Sequence, residues 1–266
     1  MSTILPTKRV EKPWGVARLP APFGDTGDGQ QIGEIWFEPG AGTERLLAKY
    51  LFTSEKLSVQ VHPSDETSPT GRGKDECWLV LDAEPDARLA IGFEEPVSGE
   101  RLRSAAEDGS IEGLLSWYPV TAGDFVYLPS GTVHAIGAGL TLLEVQQNTD
   151  ITYRLFDYGR PRELHLDSGI AVARLSRHPQ ECWRKLDLEQ TQILVDGPKF
   201  RLAHVAGGNL EPLAADFTGD LLVLPLEGAV TVGGERIEPG AAAECRALSD
   251  LAVPDGARCV VASPIG

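Results

Sequence analysis

Cysteine is scarce and scattered in this 266-residue chain. Cys77, Cys182, Cys245 and Cys259 lie far apart and make no CxxC pair, which excludes a zinc knuckle and a disulfide framework and fits reduced thiols in a cytoplasm. Positive charge is short as well: 24 Lys and Arg stand against 39 Asp and Glu, a formal net charge of −15. A surface of that sign repels nucleic acid and anionic membranes, so any anionic ligand needs a local island of cations. Long apolar runs are missing too. The opening MSTILPTKRVEKPWG holds no stretch of signal-peptide length, and nowhere do about 18 consecutive apolar residues occur. The expectation is a folded protein that stays in the cytoplasm, built as one large domain or two smaller ones, with a small molecule as its partner.

What is present is β-patterning. QIGEIWFE, LSVQVHP, CWLVLDA, ARLAIGFE, DFVYLPS and LTLLEVQQ are short runs rich in β-branched and aromatic residues, divided by Gly, Pro and Asp. They predict a mainly β sandwich or barrel. GERLRSAAEDGSIEGLLSWYPV breaks the pattern as two short helices split at Asp108-Gly109, a helical insert over about 98–116. RPRELHLDSGIAVARLSRHPQECWRKLD reads as a helix followed by a linker. β-patterning then returns in LLVLPLEGAVTVGGERIEPGAAAECRA and ARCVVASP. The organisation expected is a first domain over 1–174 and a linker with a smaller β-domain over 175–266. The second repeats the strand and turn logic of the first and has no metal site, its β-patterned part holding no histidine beyond His204.

Candidate chemistry sits in KLSVQVHPSDE, residues 56–66. Alternation puts Leu57, Val59 and Val61 on one face and Lys56, Ser58, Gln60 and His62 on the other. Further on, GDFVYLPSGTVHAI has the spacing G-x5-P-x-G-x2-H. Gly123 with Asp124 turns into a strand, Pro129 ends its pairing, Gly131 permits a tight turn, and His134 opens the next strand on rigid backbone. This spacing resembles the second motif of the cupin superfamily, small β-barrels that hold a metal inside. In GKDECWLV, Lys74, Glu76 and Trp78 share parity, while Cys77 faces away. Gln60, His62, Glu76 and His134 are therefore the candidate ligands, a set that suits Zn²⁺ or a divalent ion of similar preference. Relative to the usual first cupin motif, Gln60 stands where a histidine is common, and Glu76 lies farther along.

Taken together, EKPWG, GEIWF, LSVQVHPSDE, GKDECWLVLDA, GDFVYLPSGTVHAIGAG, LLEVQQNTDITYRLFDYGR and RELHLD, spread over most of residues 11–167, resemble type I phosphomannose isomerase (mannose-6-phosphate isomerase) in its short bacterial form. The resemblance implies two cupin-type (jelly-roll) barrels, the second degenerate, and one Zn²⁺ in the first, on Gln60, His62, Glu76 and His134. It also implies a catalytic arginine at Arg154 and active-site lysines including Lys74. Val16 after KPWG and the loop from Ser68 to Gly73 depart from the family's pattern, and they bear on substrate identity rather than on the metal.

Interconverting an aldose and a ketose phosphate moves a proton between C1 and C2 through a cis-enediol. Arg154, always protonated and planar, suits the developing enediolate. Glu144, sharing a strand face with Leu142 and Gln146, is the candidate base, with a metal-activated water as its competitor. Lys56, Arg72 and the Ser58 hydroxyl are the nearest candidates for holding substrate. Three other readings stay open: a sugar-binding cupin that keeps the metal pocket without catalysis, a metal-dependent isomerase of another sugar phosphate, and iron-dependent oxygenation on the same barrel.

Overall fold

The computed structural model describes residues 3–24 and 29–265. The first part of the chain forms β1 (Thr3–Ile4), β2 (Thr7–Val16), β3 (Ile32–Phe37), β4 (Leu46–Thr53), β5 (Val59–Val61), β6 (Glu76–Ala83), β7 (Arg88–Phe93), α1 (Gly99–Asp108), β8 (Leu115–Pro119), β9 (Asp124–Leu128), β10 (His134–Ile136), β11 (Leu140–Gln147) and β12 (Tyr153–Phe156). The rest forms α2 (Leu166–Val172), β13 (Trp183–Lys185), β14 (Gln192–Asp196), β15 (Phe200–Ala206), β16 (Leu221–Glu227), β17 (Val230–Val232), β18 (Glu235–Ile237), β19 (Ala243–Cys245), β20 (Leu251–Ala252) and β21 (Arg258–Pro264).

These strands make four antiparallel sheets. A seven-stranded sheet, β13-β9-β6-β11-β4-β3-β2, faces a five-stranded one, β12-β5-β10-β7-β8, across a core that includes Trp14, Leu51, Trp78, Leu89 and Leu142. This pair is the first barrel, and the fold is mainly β and cupin-like as expected. A six-stranded sheet, β1-β19-β16-β21-β15-β14, and a three-stranded one, β18-β17-β20, enclose a second interior of Val205, Phe217, Val223, Val232 and Val261. Between the barrels, the outer face of the seven-stranded sheet packs on the six-stranded one through Phe37, Tyr50, Cys77, Phe200, Leu222 and Val260. Strand pairing also crosses the two parts: β13 pairs with β9 in the first barrel, and β1 pairs with β19 in the second.

Alternation explains why both faces of β6 are buried yet different. Trp78 and Val80 enter the first barrel, while Cys77 and Leu79 enter the layer between barrels. Residues such as Phe37 and Phe200 are fully buried there, and truncating either to alanine is expected to cost about 3–5 kcal/mol.

The helical insert follows its sequence closely. Ser98 caps α1 by accepting the Arg101 N–H, and Gly109 ends it in the left-handed region at φ 83°, before a 3-10 turn over Ser110–Leu114. Leu102, Ala105 and Ala106 press α1 onto the outer face of the five-stranded sheet, beside Val59, Val61 and Ala135. Gly131 sits at φ 87°, where an added Cβ would lie 2.9 Å from the Val172 carbonyl oxygen. Its N–H donates to the His62 carbonyl at 2.8 Å, tying the two histidine segments together.

Candidate functional site

Three neighbouring strands line up the first group. Gln60 in β5 stands opposite His134 in β10 on one side and Arg154 in β12 on the other. His62 lies one residue past the end of β5, and Glu76 opens β6 on the facing sheet. His62, Glu76 and His134 are buried, and their ligand atoms lie within 4.8 Å of one another.

Hydrogen bonds fix the tautomers. His62 Nδ1 lies 2.8 Å from the Ile151 carbonyl and His134 Nδ1 lies 2.9 Å from the Thr132 carbonyl. Each Nδ1 must donate there, which leaves each Nε2 lone pair directed into the site. Burial holds both imidazoles below their ordinary pKa, with Lys74 adding to the effect at His62 and Glu76 partly opposing it at His134. For Glu76, burial works against the charge, but Lys74 and then His134 outweigh it and the carboxyl stays below its usual range.

That arrangement sets acceptors against one another. His134 Nε2 lies 3.3 Å from Glu76 Oε1, and His62 Nε2 lies 3.5 Å from Glu76 Oε2. Glu76 Oε1 is buried without a hydrogen-bond donor. Two ligands of a tetrahedral ion at about 2.1 Å stand roughly 3.4 Å apart, so the spacing suits a cation shared between them. The donor set of two neutral imidazoles and a carboxylate therefore fits a divalent metal. Gln60 currently turns its amide nitrogen toward His134 Nε2 at 3.2 Å, while its oxygen accepts from Ser58 Oγ at 3.2 Å. A half-turn of that amide would present oxygen to the site.

From Glu76 outward, charge alternates along the barrel floor. Lys74 donates to Glu76 Oε2 at 2.5 Å and to His62 Nε2 at 3.1 Å, and lies 3.6 Å from Glu144. Glu144 in β11 accepts from Trp78 Nε1 at 3.0 Å and pairs with Lys49 in β4 at 2.9 Å. Burial opposes the Lys49 charge, but Glu144 and then Glu34 outweigh it and raise its pKa. Beyond Lys49, Glu34 in β3 accepts from Trp36 at 2.6 Å and faces Lys12 of β2 at 3.5 Å. All of Lys12, Glu34, Trp36, Lys49, Lys74 and Glu144 line one cavity of about 300 Å³.

The same cavity receives Gln60 and Arg154 from the facing sheet, and Ser58 and Arg162 from the segments before β5 and after β12. Among the described residues Arg154 makes no carboxylate pair; its Nη1 donates to the Glu163 carbonyl at 2.9 Å and its buried Nε has no hydrogen-bond partner there. Burial and then Arg162 lower its pKa from the ordinary guanidinium value. The structure does not bring Lys56 or Arg72 to this cavity. Lys56 pairs with Glu112 at 2.7 Å on the side of the helical insert, and Arg72 lines a separate surface depression with Arg45, Asp65 and Lys199. Sequence reasoning missed Lys49, Lys12, Glu34 and Arg162. Lys49 did carry a signal: it is the one charge in LLAKYLFT, a strand buried at every position.

The chain is 38% identical over 206 residues to the mannose-6-phosphate isomerase of Streptococcus mutans, covering 72% of this chain and 64% of that protein. It is 44% identical over 209 residues to mannose-6-phosphate isomerase ManA of Bacillus subtilis, covering 73% and 65%. The match thus spans a little under two thirds of the length of these curated relatives. The crystal structure of mannose 6-phosphate isomerase from Bacillus subtilis superposes with a TM-score of 0.79 at 26% identity, over 97% of this chain and 98% of that one. A zinc-bound mannose 6-phosphate isomerase structure shares the fold at TM-score 0.71 and 14% identity, over the whole of both chains. No family model matches the chain.

Proposed function

We propose, on the premise that the chain belongs to the mannose-6-phosphate isomerase family, that it is a metal-dependent aldose-ketose isomerase interconverting mannose 6-phosphate and fructose 6-phosphate. The observation that carries this reading is the cluster of His62, Glu76 and His134, whose acceptor atoms converge beside a cavity lined by four lysine and arginine side chains besides Lys74: Lys12, Lys49, Arg154 and Arg162. Set against Glu34, Glu144 and Asp150 in the same lining, these cations with Lys74 leave a local excess of positive charge in a chain of net charge −15, as an anionic sugar requires.

His62, Glu76 and His134, with Gln60 after its amide turns, would hold the metal, for which zinc fits the donor set. A divalent ion there would supply Lewis-acid polarisation of the C1 and C2 oxygens of the open-chain sugar. Glu144, paired with Lys49 and hydrogen-bonded by Trp78, is the base that would take the C2 proton and return it at C1. Arg154 offers planar donors to the oxygen on which enediolate charge develops, and Lys74 adds an ammonium donor beside Glu144. Ser58, Lys49, Lys12 and Arg162 supply the donors for the phosphate end, while Lys56 and Arg72 stand outside this cavity.

The reading assigns the chemistry to residues 1–174, with 175–266 as a smaller barrel without a metal site; the apolar side chains that fill its interior support this. A cytoplasmic location fits the four free cysteines. Among the described residues no helix is long and apolar enough to cross a membrane.

The test is a coupled assay of mannose 6-phosphate to fructose 6-phosphate on purified protein, before and after chelation and after zinc is restored. Activity that vanishes and returns is the expected result. Folded, zinc-loaded protein without activity would leave a binding cupin in its place.

A further inference from the structure

We propose that Lys56, Glu112 and Tyr158 form a clamp through which the helical insert positions the wall of the substrate cavity. The Lys56 ammonium pairs with Glu112 Oε1 at 2.7 Å and lies over the rings of Trp117 and Tyr158, 5.3 and 5.6 Å from their centroids. Tyr158 donates its hydroxyl to the same Glu112 oxygen at 3.3 Å, and Trp117 Nε1 donates to the Glu112 carbonyl at 3.1 Å. One ammonium thus joins the loop between β4 and β5, the 3-10 turn of the insert, strand β8 and the turn after β12.

The far side of the clamp reaches the cavity. Arg160 Nη2 donates to the Lys56 carbonyl and to Glu55, both at 2.8 Å, while its Nη1 lies 3.2 Å from Asp157. Asp157 in turn accepts two bonds from Arg162, each 2.6 Å, and Arg162 lines the cavity. Leu57 and Ser58, the residues after Lys56, also line it, and Leu57 is fixed by its N–H to the Ile136 carbonyl at 2.8 Å. Displacing the loop at Lys56 therefore disturbs Ser58 directly and Arg162 through Arg160 and Asp157.

Backbone strain at the centre supports a positioning role. Tyr158 has φ 56°, the one non-glycine residue with positive φ among those described. For a bulky side chain this conformation is held only where surrounding contacts over-determine it, and such places concentrate at functional sites. The ring contacts with Lys56, Arg160 and Phe156, together with the hydroxyl bond to Glu112, do that here. Lys56 is half exposed, so the pair contributes little to global stability, and its effect is local.

The kinetic arm rests on the isomerase reading; the exchange arm does not. Lys56→Met and Glu112→Gln, made in the full metal-loaded chain, are expected to speed amide hydrogen exchange in residues 54–60 and 157–163 by about threefold or more, with residues 221–227 unchanged. KM for mannose 6-phosphate should rise about three- to tenfold with kcat within about twofold, the pattern of lost binding rather than lost chemistry. Lys56→Arg, or the exchanged pair Lys56→Glu with Glu112→Lys, should restore both readouts. Unchanged exchange in both single variants overturns the clamp, as does a uniform rise along the whole chain; local loosening with KM unchanged overturns its bearing on the cavity. If the wild-type chain fails to isomerise mannose 6-phosphate, the functional reading falls and the exchange pattern alone decides the clamp.

Discussion

Lys49→Met tests the charged line on the barrel floor most directly. Lys49 and Glu144 are both buried and 2.9 Å apart; removing one partner of a buried pair leaves an uncompensated charge and typically costs about 3–5 kcal/mol. Lys74 still lies 3.6 Å from Glu144 and Trp78 still donates to it, which places the expected loss at the low end, about 3 kcal/mol. For a chain of this length that corresponds to a fall in Tm of about 5 °C. Methionine keeps most of the volume, so packing contributes little. Denaturant unfolding of Lys49→Met, Glu144→Gln and the double variant forms a cycle, and the expected coupling is about 2 kcal/mol, because Glu144→Gln no longer needs the ammonium. In activity the lysine variant should lose more than the stability change explains, since the ammonium it removes both contacts Glu144 and lines the cavity. Losses below about 1 kcal/mol that add independently would show that the pair is not energetically joined, and the line of charges would lose its place in the mechanism.

Three further outcomes are expected. His134→Ala or Glu76→Ala should lose bound metal, read by elemental analysis, and activity with it, while circular dichroism stays native; full activity in a metal-free variant would defeat the ligand assignment. Arg154→Ala should keep the metal and lower kcat by about a hundredfold or more, the usual effect of removing one oxyanion donor, and an unchanged rate would leave Arg154 only its bond to the Glu163 carbonyl. His178 is held down at about 4 by burial, against roughly 6.5 in an unfolded chain. Between those values the unfolded state binds the extra proton, so stability falls as pH drops from about 6.5 to 4, by roughly 2–3 kcal/mol. Denaturant midpoints measured across that range in the wild type and in His178→Asn should converge toward acid pH, and parallel curves would refute the assignment.

Much of the candidate site was legible because its residues lie on short, regular pieces of chain. Parity along GKDECWLV set Glu76 with Trp78 and turned Cys77 away, and the structure has Trp78 inside the first barrel and Cys77 in the layer beyond. The glycines of GDFVYLPSGTVHAI sit at positive φ, with His134 opening β10. The helical insert breaks at Gly109 for the same local reason. Parity fails where the strand stops: β5 runs only from Val59 to Val61, so the alternation read from Lys56 onward does not govern Lys56, which turns to the insert. Arg72 lies in a loop with no register to place it.

By itself the sequence determined the mainly β class, the turns, the residue types of the candidate metal cluster and the charge deficit that makes any local excess of cations significant, because each follows from local alternation, glycine conformation or composition. Only the tertiary structure decided which distant groups share the cavity. Lys12, Glu34, Lys49, Glu144 and Glu76 lie on five adjacent strands, β2, β3, β4, β11 and β6, whose order in the sheet is not their order in the chain. Hydrogen-bonded strands stand about 4.8 Å apart, so the pairing of β11 between β4 and β6 sets Glu144 beside Lys49 on one side and Trp78 on the other, with Lys74 reaching both Glu144 and Glu76. That pairing is a property of barrel closure, which no local pattern in the chain encodes.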